Sequence, residues 1–318
     1  MSTEVINVAE NIDLINTQYY DIGLGIVVIG NESKVIIDAA TNDLASNLLL
    51  PMFKKLGITN IDKIILTHGD HDHVGGVVIF KKFFGSKILA SKETENYTKN
   101  PIAAFYKRFG YAIKFIPQHL LEDLEKNYYA ERGEGFTVDD YLDENSEIKI
   151  GAMPFFTINM EGHIDGALGF YNKELRILIC GDSIQGEGPK SQLFSPFPMY
   201  NNVEKYQKTL ERVKLLDLDI IICAHPYLPC NIPIVKGKMI KELLDKSTNT
   251  IKLINDLVLE GLYKEKNNLK DITNYVCTKM KRELTLSALI TIKAHLDYLY
   301  NKSIIRWINI DNGEFEII

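Results

Sequence analysis

The chain has 318 residues and a formal net charge of −6, with 46% hydrophobic and 25% charged residues. This balance is typical of an ordinary globular protein with a sizeable core, and the length exceeds that of one average domain. The negative charge provides no general attraction to nucleic acid or acidic membranes. The chain begins without a basic region followed by an apolar one, and no stretch approaches the length of a membrane span. We therefore expect a cytoplasmic protein with no membrane contact.

The first part of the chain predicts strands followed by a helix. Residues 5–40 are predicted to form successive strands, in which 25–30 and 34–38 flank the turn-forming Asn31-Glu32-Ser33. Residues 43–56 are predicted to be helical, and the apolar run 61–66 is predicted to be a buried strand. Repeated strand, helix and loop units of this kind indicate an α/β fold.

Directly after that run, residues 67–76 read THGDHDHVGG. Three imidazoles and two carboxylates within six residues suggest a metal site, because neutral histidine and ionised carboxylate are the usual ligands of first-row cations. A loop that leaves a buried strand holds such ligands rigidly. Gly75 and Gly76 are expected to allow a tight turn and the start of a helix.

In three later segments a polar residue again stands at the end of an apolar run or in a loop flanked by glycines. His163 lies in EGHIDG, Asp182 follows LICG, and His225 follows IIICA. Four of the seven histidines, 68, 73, 163 and 225, stand on candidate ligand positions in these segments.

The run from His68 to His73 resembles the His-x-His-x-Asp-His signature of the metallo-β-lactamase superfamily, and the later segments occur in that family's order over roughly residues 5–235. The resemblance implies an αββα sandwich and two divalent metal ions, with zinc the expected metal. It also implies Asp72 as a catalytic residue. The implied ligands are His68, Asp70 and His163 for one ion, Asp72, His73 and His225 for the other, and Asp182 between them.

Asp70 departs from the family pattern, which has histidine at this position. A carboxylate here should favour iron or manganese relative to zinc, because it is a harder ligand than imidazole. An acidic residue at this position resembles two branches of the superfamily, the flavodiiron proteins and the DNA-uptake competence proteins.

Two cations about 3.5 to 4 Å apart are best suited to hydrolysis through a bridging hydroxide. Small-molecule ester, thioester, lactone and phosphodiester bonds all fit this chemistry. A nuclease for single-stranded RNA or DNA and a diiron redox or oxygen-binding protein are the alternatives. No thiol chemistry competes, because the four cysteines include no Cys-x-x-Cys pair.

The remaining histidines are given structural roles. His71 occupies a variable position of the motif and is expected to be a solvated loop side chain. His119 and His295 lie in helix-like stretches without a partner motif, and we expect both at the surface or the edge of the core.

Residues 91–147 form an insertion rich in aromatic residues and without a ligand motif. The segment leaves and rejoins the sheet between two ligand motifs. We therefore favour the interpretation that it forms a helical lid, which covers the metal site. A small packed subdomain is the alternative.

Residues 236–318 are predicted to form a second domain after the catalytic domain at 1–235. Helices at about 237–260, 269–281 and 285–301 precede a hairpin whose turn contains Asn312-Gly313. This order resembles the winged-helix tail of some superfamily members, including a mitochondrial endoribonuclease. From residue 237 onward there are 13 Lys and Arg against 11 Asp and Glu, a net charge of only +2. We therefore favour a role in packing, homodimer formation or covering the active site over nucleic-acid binding.

Overall fold

Two β-sheets form the centre of the protein in a computed structural model that describes residues 3–31, 34–150, 153–192 and 197–318. The first sheet contains β1 Glu4–Ala9, β2 Ile12–Tyr19, β3 Ile22–Ile29, β4 Val35–Ile37, β5 Lys63–Ile65, β6 Lys87–Ala90 and β7 Asp140–Tyr141. The second contains β8 Glu147–Ile150, β9 Met153–Asn159, β10 Leu168–Asn172, β11 Ile177–Gly181, β12 Ile220–Cys223 and β13 Ile234–Lys236. Strands β4 to β7 run parallel, as do β11 and β12, and the other neighbours are antiparallel.

The helices are α1 Asn42–Leu44, α2 Leu50–Lys55, α3 His71–Val74, α4 Val77–Phe84, α5 Pro101–Phe109, α6 Gln118–Arg132, α7 Val203–Lys214, α8 Lys238–Tyr263, α9 Leu269–Met280 and α10 Leu286–Asn301. A π-helical segment, Ala45–Leu49, joins α1 to α2. The single helix predicted at 43–56 therefore exists, with a wider turn at its centre. The chain ends in the hairpin β14 Ile305–Asn309 and β15 Glu314–Ile317.

The alternation of side chains along each strand explains how the layers pack. In β3, Val27 and Ile29 belong to the core between the two sheets, whereas Ile26 and Val28 pack under helices. Because both faces of each sheet are apolar, both must be covered. Phe53 of α2 lies on the outer face of the first sheet, and α7 and α8 cover the second. This arrangement is the predicted αββα sandwich.

The insertion contains the helices α5 and α6, and three of its aromatic side chains are buried in a core that it shares with the tail. Phe105, Phe109 and Tyr128 belong to the same cluster as Ile254 of α8 and Leu289 of α10. The apolar face of α10 thus finds its partner within the same chain. The three helices and hairpin predicted for the tail are present. That they form a separate winged-helix-like domain, with a boundary at residue 236, stays a prediction.

The predicted strands at 25–30 and 34–38 correspond to β3 and β4, and Glu32 and Ser33 of the turn between them lie outside the described residues. Within the described part of the chain, no helix combines the length and apolar character that a membrane span requires.

Candidate metal centre

The candidate ligands lie on loops that leave one edge of the two sheets. One group follows β5, and the others follow β9, β11 and β12. Loops at the carboxyl ends of parallel strands converge at such an edge. The residues brought together are His68, Asp70, Asp72, His73, His163, Asp182 and His225.

Each of the four histidines has its Nδ1 atom paired away from the centre. The outer partners are Thr67 Oγ1 for His68, Asp38 Oδ2 for His73, the Met199 carbonyl for His163 and the Gly23 carbonyl for His225. With Nδ1 directed to an outer partner, Nε2 of each ring faces the centre, which is the usual arrangement around metal-binding histidines. Among the described atoms, Nε2 of His68 and of His73 has no hydrogen-bond partner although both rings are buried.

Two imidazoles and two carboxylates lie next to one another in what we call the second compartment (Asp72, His73, Asp182 and His225). His225 Nε2 lies 3.1 Å from Asp72 Oδ2 and 3.6 Å from Asp182 Oδ2. His73 Nε2 lies 3.6 Å from Asp182 Oδ2 and 3.8 Å from Asp72 Oδ2. Ligands bonded at about 2.0 to 2.2 Å in a tetrahedron are about 3.3 to 3.6 Å apart. The imidazole–carboxylate distances are close to this range, and Asp72, His73 and His225 lie near enough to one another to hold one cation.

The first compartment (His68, Asp70 and His163) lies beside it. Asp70 Oδ2 is 3.0 Å from His163 Nε2 and 3.7 Å from His68 Nε2. Asp182 Oδ2 reaches toward both compartments, since it is also 3.9 Å from His163 Nε2. The spacing places every predicted ligand in one cluster.

The charges of the centre also suit a cation. Burial alone would raise the pKa of Asp72 and of Asp182, but the imidazoles of His73 and His225 lower both below their ordinary range. Burial disfavours a charged His73, yet Asp72, Asp182 and Asp38 together raise its pKa well above the usual value. Ionised carboxylates buried among imidazoles, with unpaired Nε2 atoms and an unpaired Asp182 Oδ1, fit a divalent metal ion.

Comparison with known proteins agrees with this geometry. A model of the metallo-beta-lactamase superfamily matches residues 21–225, which include all the candidate ligands. The chain belongs to this superfamily. It is 26% identical over 202 residues to a hydroxyacylglutathione hydrolase from Serratia proteamaculans, which covers 60% of this chain and 59% of that relative. The match thus spans less than two thirds of the relative's length.

Two further superfamily proteins resemble nearly the whole chain. A beta-lactamase-like protein 2 homolog from Caenorhabditis elegans is 21% identical over 296 residues, covering 92% of this chain and 82% of its own. The crystal structure of a metallo-beta-lactamase family protein from Thermus thermophilus has a TM-score of 0.73 at 15% identity, covering 98% of this chain and 100% of that one. The fold is therefore that of the superfamily.

Arg108, from α5 of the insertion, enters the first compartment and was not predicted from the sequence. Nη2 donates to Asp70 Oδ2 at 2.9 Å, Nε lies 2.8 Å from Oδ1, and Nη1 donates to the His163 carbonyl at 3.0 Å. Burial alone would raise the pKa of Asp70, but the guanidinium and the nearby imidazoles hold it well below its usual range. No local motif marks Arg108, which lies 38 residues from Asp70 along the chain.

Asp38, at the end of β4, is a second residue missing from the predicted site. Its Oδ1 accepts from the Thr67 backbone N–H at 2.8 Å, and its Oδ2 lies 2.7 Å from Thr67 Oγ1 and 2.8 Å from His73 Nδ1. It therefore fixes the base of the loop and the orientation of one imidazole. The sequence did contain a signal, because Asp38 follows an apolar run as Asp182 does.

The two glycines of the motif are needed for a different reason from the one predicted. Both have helical backbone angles, with φ of −59° at Gly75 and −83° at Gly76, so neither requires the left-handed region. A Cβ at Gly75 would lie 2.2 Å from the Glu131 carbonyl oxygen, and one at Gly76 would lie 2.2 Å from the Ala39 carbonyl oxygen. Close backbone approach, together with the predicted start of α4, explains them.

Predictions for the other histidines were wrong in two cases. His71 is not a solvated loop residue, since its Nε2 lies 2.9 Å from the Tyr19 hydroxyl and 3.1 Å from Glu131 Oε2. His295 is fully buried, where Tyr200 donates to its Nε2 at 2.8 Å. His119 is exposed, as expected. Both errors have one cause, because the partners of His71 and His295 lie far away along the chain.

A cleft of about 170 Å³ opens onto the metal centre. Ile22, Phe109, Phe197 and Met199 provide much of its apolar wall, and Ser287 of the tail borders it. Five candidate ligands also line it: Asp70, Asp72, His163, Asp182 and His225. Both the insertion and the tail therefore contribute to the walls of the cleft.

Proposed function

We propose that the protein hydrolyses small ester or thioester substrates with a divalent ion held by Asp72, His73, Asp182 and His225. The observation that carries this proposal is the set of inward-facing Nε2 atoms around ionised carboxylates, each imidazole being fixed from outside. A divalent ion at this position supplies Lewis acidity, which polarises an acyl carbonyl and makes water a usable nucleophile near neutral pH. Zinc is the proposed metal, and whether a second ion joins it depends on Arg108.

The residues of the chain would provide orientation and a proton acceptor. Asp72 is the proposed catalytic residue, because its carboxylate borders the cleft and is kept ionised by His73 and His225. Tyr227 also borders the cleft, and burial followed by the nearby Asp182 raises the pKa of its hydroxyl well above the usual value. Tyr227 would therefore remain a hydrogen-bond donor at neutral pH.

The walls of the cleft favour an uncharged acyl group over a phosphodiester. Among the described residues that line it, none is a lysine or an arginine. A phosphodiester carries a negative charge that proteins usually meet with such side chains. The relatives named hydroxyacylglutathione hydrolases, whose name denotes a thioester substrate, support the same choice.

A substrate panel tests the proposal. Purified protein supplied with zinc should be assayed on an aryl acetate, an acyl thioester, a hydroxyacyl thioester of glutathione, a lactone and a bis-aryl phosphodiester. We expect kcat/KM for one of the acyl substrates to exceed that for the phosphodiester by at least about tenfold, which corresponds to about 1.4 kcal/mol of transition-state stabilisation. A preference for the phosphodiester would contradict the proposal and favour the nuclease.

Matched histidine variants separate a metal-site effect from a general one. His225→Ala should lose both bound metal and acyl hydrolysis, and a chelator should abolish the activity of the parent protein. His119→Ala is the control, because His119 is exposed on α6 and belongs to no part of the site. Equal losses in the two variants would show that the assay reports something other than the metal centre.

A further inference from the structure

A fixed cation already lies in the first compartment. The Arg108 side chain is 2% exposed, and its guanidinium contacts both carboxylate oxygens of Asp70. Its Nη1 donates to the His163 carbonyl at 3.0 Å, which fixes the plane of the group. An arginine side chain stays protonated in proteins, so this positive charge is permanent.

We propose that the Arg108 guanidinium takes the place of a metal ion in the first compartment, so that each chain holds one ion, in the second compartment. This inference rests on the proposed metal-dependent function. It differs from the sequence-based prediction of two ions, in which Asp70 is a ligand of the first ion.

The guanidinium engages the lone pairs that a first ion would need. His163 Nδ1 contacts the Met199 carbonyl and Gln185 Nε2, so Nε2 is the ring nitrogen that faces the first compartment. Arg108 Nη2 lies 3.2 Å from that Nε2 and 2.9 Å from Asp70 Oδ2. The same nitrogen thus faces two of the three candidate ligands of the first compartment.

An ion in the first compartment would also lie too close to the positive charge of Arg108. Asp70 Oδ2 and His163 Nε2 are 3.0 Å apart. An ion bonded to both at about 2.0 to 2.2 Å could lie no farther than about 4 Å from Nη2. A divalent ion would then be held beside a permanent positive charge in a buried site, where water screens the repulsion poorly.

The second compartment has no such competitor among the described residues. Each of its imidazoles lies 3.1 to 3.8 Å from each of its carboxylates, a spacing that suits ligands of an ion, and these contacts do not involve Arg108. Asp70 and Arg108 together carry no net charge. The neutral imidazole that the family pattern places at position 70 would also carry none. The pair therefore preserves the charge of the centre while changing the number of ions that it can hold.

Metal stoichiometry tests the inference directly on the full-length protein. The wild-type chain should be saturated with zinc, passed through a desalting column and analysed by native mass spectrometry and by elemental analysis. We expect one zinc per chain. Two ions per wild-type chain would overturn the inference and leave the proposed function intact, whereas no bound ion would overturn both.

Variants then show whether Arg108 is responsible. Arg108→Met removes the guanidinium while keeping a long side chain, and it should raise the stoichiometry from one to two ions. The double variant Asp70→His, Arg108→Met supplies three imidazoles and should also hold two. A stoichiometry that stays at one in both variants, each with the circular dichroism spectrum of the parent, would overturn the role given to Arg108.

Arg132→Met is the matched control. Arg132 is a fully buried arginine of the same insertion, but it donates to the backbone carbonyls of Tyr97, Thr98 and Glu134 and not to a ligand. Its loss should lower stability without changing the number of ions. A second ion in Arg132→Met would show that general loosening of the insertion opens the first compartment, and would overturn the specific role of Arg108.

Discussion

The buried His295 predicts a defined loss of stability in acid. His295 lies in α10 with no solvent exposure, and Tyr200 donates to its Nε2 at 2.8 Å. Burial lowers its pKa from 6.5 to about 3. Between pH 6.5 and pH 3 this histidine is protonated in the unfolded chain but neutral in the folded chain. The free energy of unfolding therefore falls as the pH drops below 6.5 and stops falling near pH 3.

One such group costs about 1.4 kcal/mol for each pH unit within this window. Between pH 7.5 and pH 4.5 the contribution of His295 is therefore about 2.7 kcal/mol. His295→Gln removes the titration and retains an oxygen that can accept from Tyr200. Above pH 7 we expect the free energies of unfolding of variant and parent to differ by a roughly constant amount. Between pH 7.5 and pH 4.5 the free energy of unfolding of the variant should fall by about 2.7 kcal/mol less than that of the parent.

Urea unfolding of the metal-free proteins, followed by tryptophan fluorescence, measures this difference. The chain has one tryptophan, Trp307, which packs against Phe315 in the hairpin of the tail and so reports on the region that contains His295. Other titrating groups are shared by the two proteins, and their effects cancel in the comparison. Parallel stability curves from pH 7.5 to 4.5 would refute the argument.

Three further predictions concern the metal centre and the tail. Asp70→His alone should not simply restore the zinc site of the superfamily, because it leaves Arg108 buried without its carboxylate; urea unfolding should show a loss of about 3 to 5 kcal/mol. Deletion of residues 237–318 should expose Phe105 and its neighbours and cause aggregation or a change in mass by light scattering. Binding of single-stranded RNA should be weak and nearly independent of salt, because the tail offers few phosphate contacts; submicromolar binding lost on deletion would contradict this.

The parts of the fold and site that could be predicted are those encoded within short segments. β3 and β5 are apolar runs bounded by turn residues, and His68 and Asp182 follow such runs directly. A strand followed by polar residues indicates both the element and the edge of the sheet to which its loop belongs. The order of the ligand segments then restricts the topology that can bring them together.

The contacts that could not be predicted join residues far apart in sequence. Tyr19 donates to Glu131 across 112 positions, and neither residue belongs to a motif. The same is true of Arg108 and Asp70, although a carboxylate where the family has histidine implies that a cation lies nearby. A buried charge is rarely left unpaired. The packing of the insertion, which no local motif predicts, brings Arg108 to Asp70 as the paired cation.

The position of Arg108 on α5 links the tail to the metal centre. Phe105 and Phe109 of the same helix pack in the core shared with α8, α9 and α10, while Arg108 reaches Asp70 and His163. Because a packed helix moves as a rigid element, the tail helps to fix the guanidinium relative to the ligands. A tail with almost no net charge can thus influence the chemistry of the site through packing alone, without binding nucleic acid or donating a residue to the metal. The insertion and tail together therefore fix the position of the Arg108 guanidinium in the first compartment.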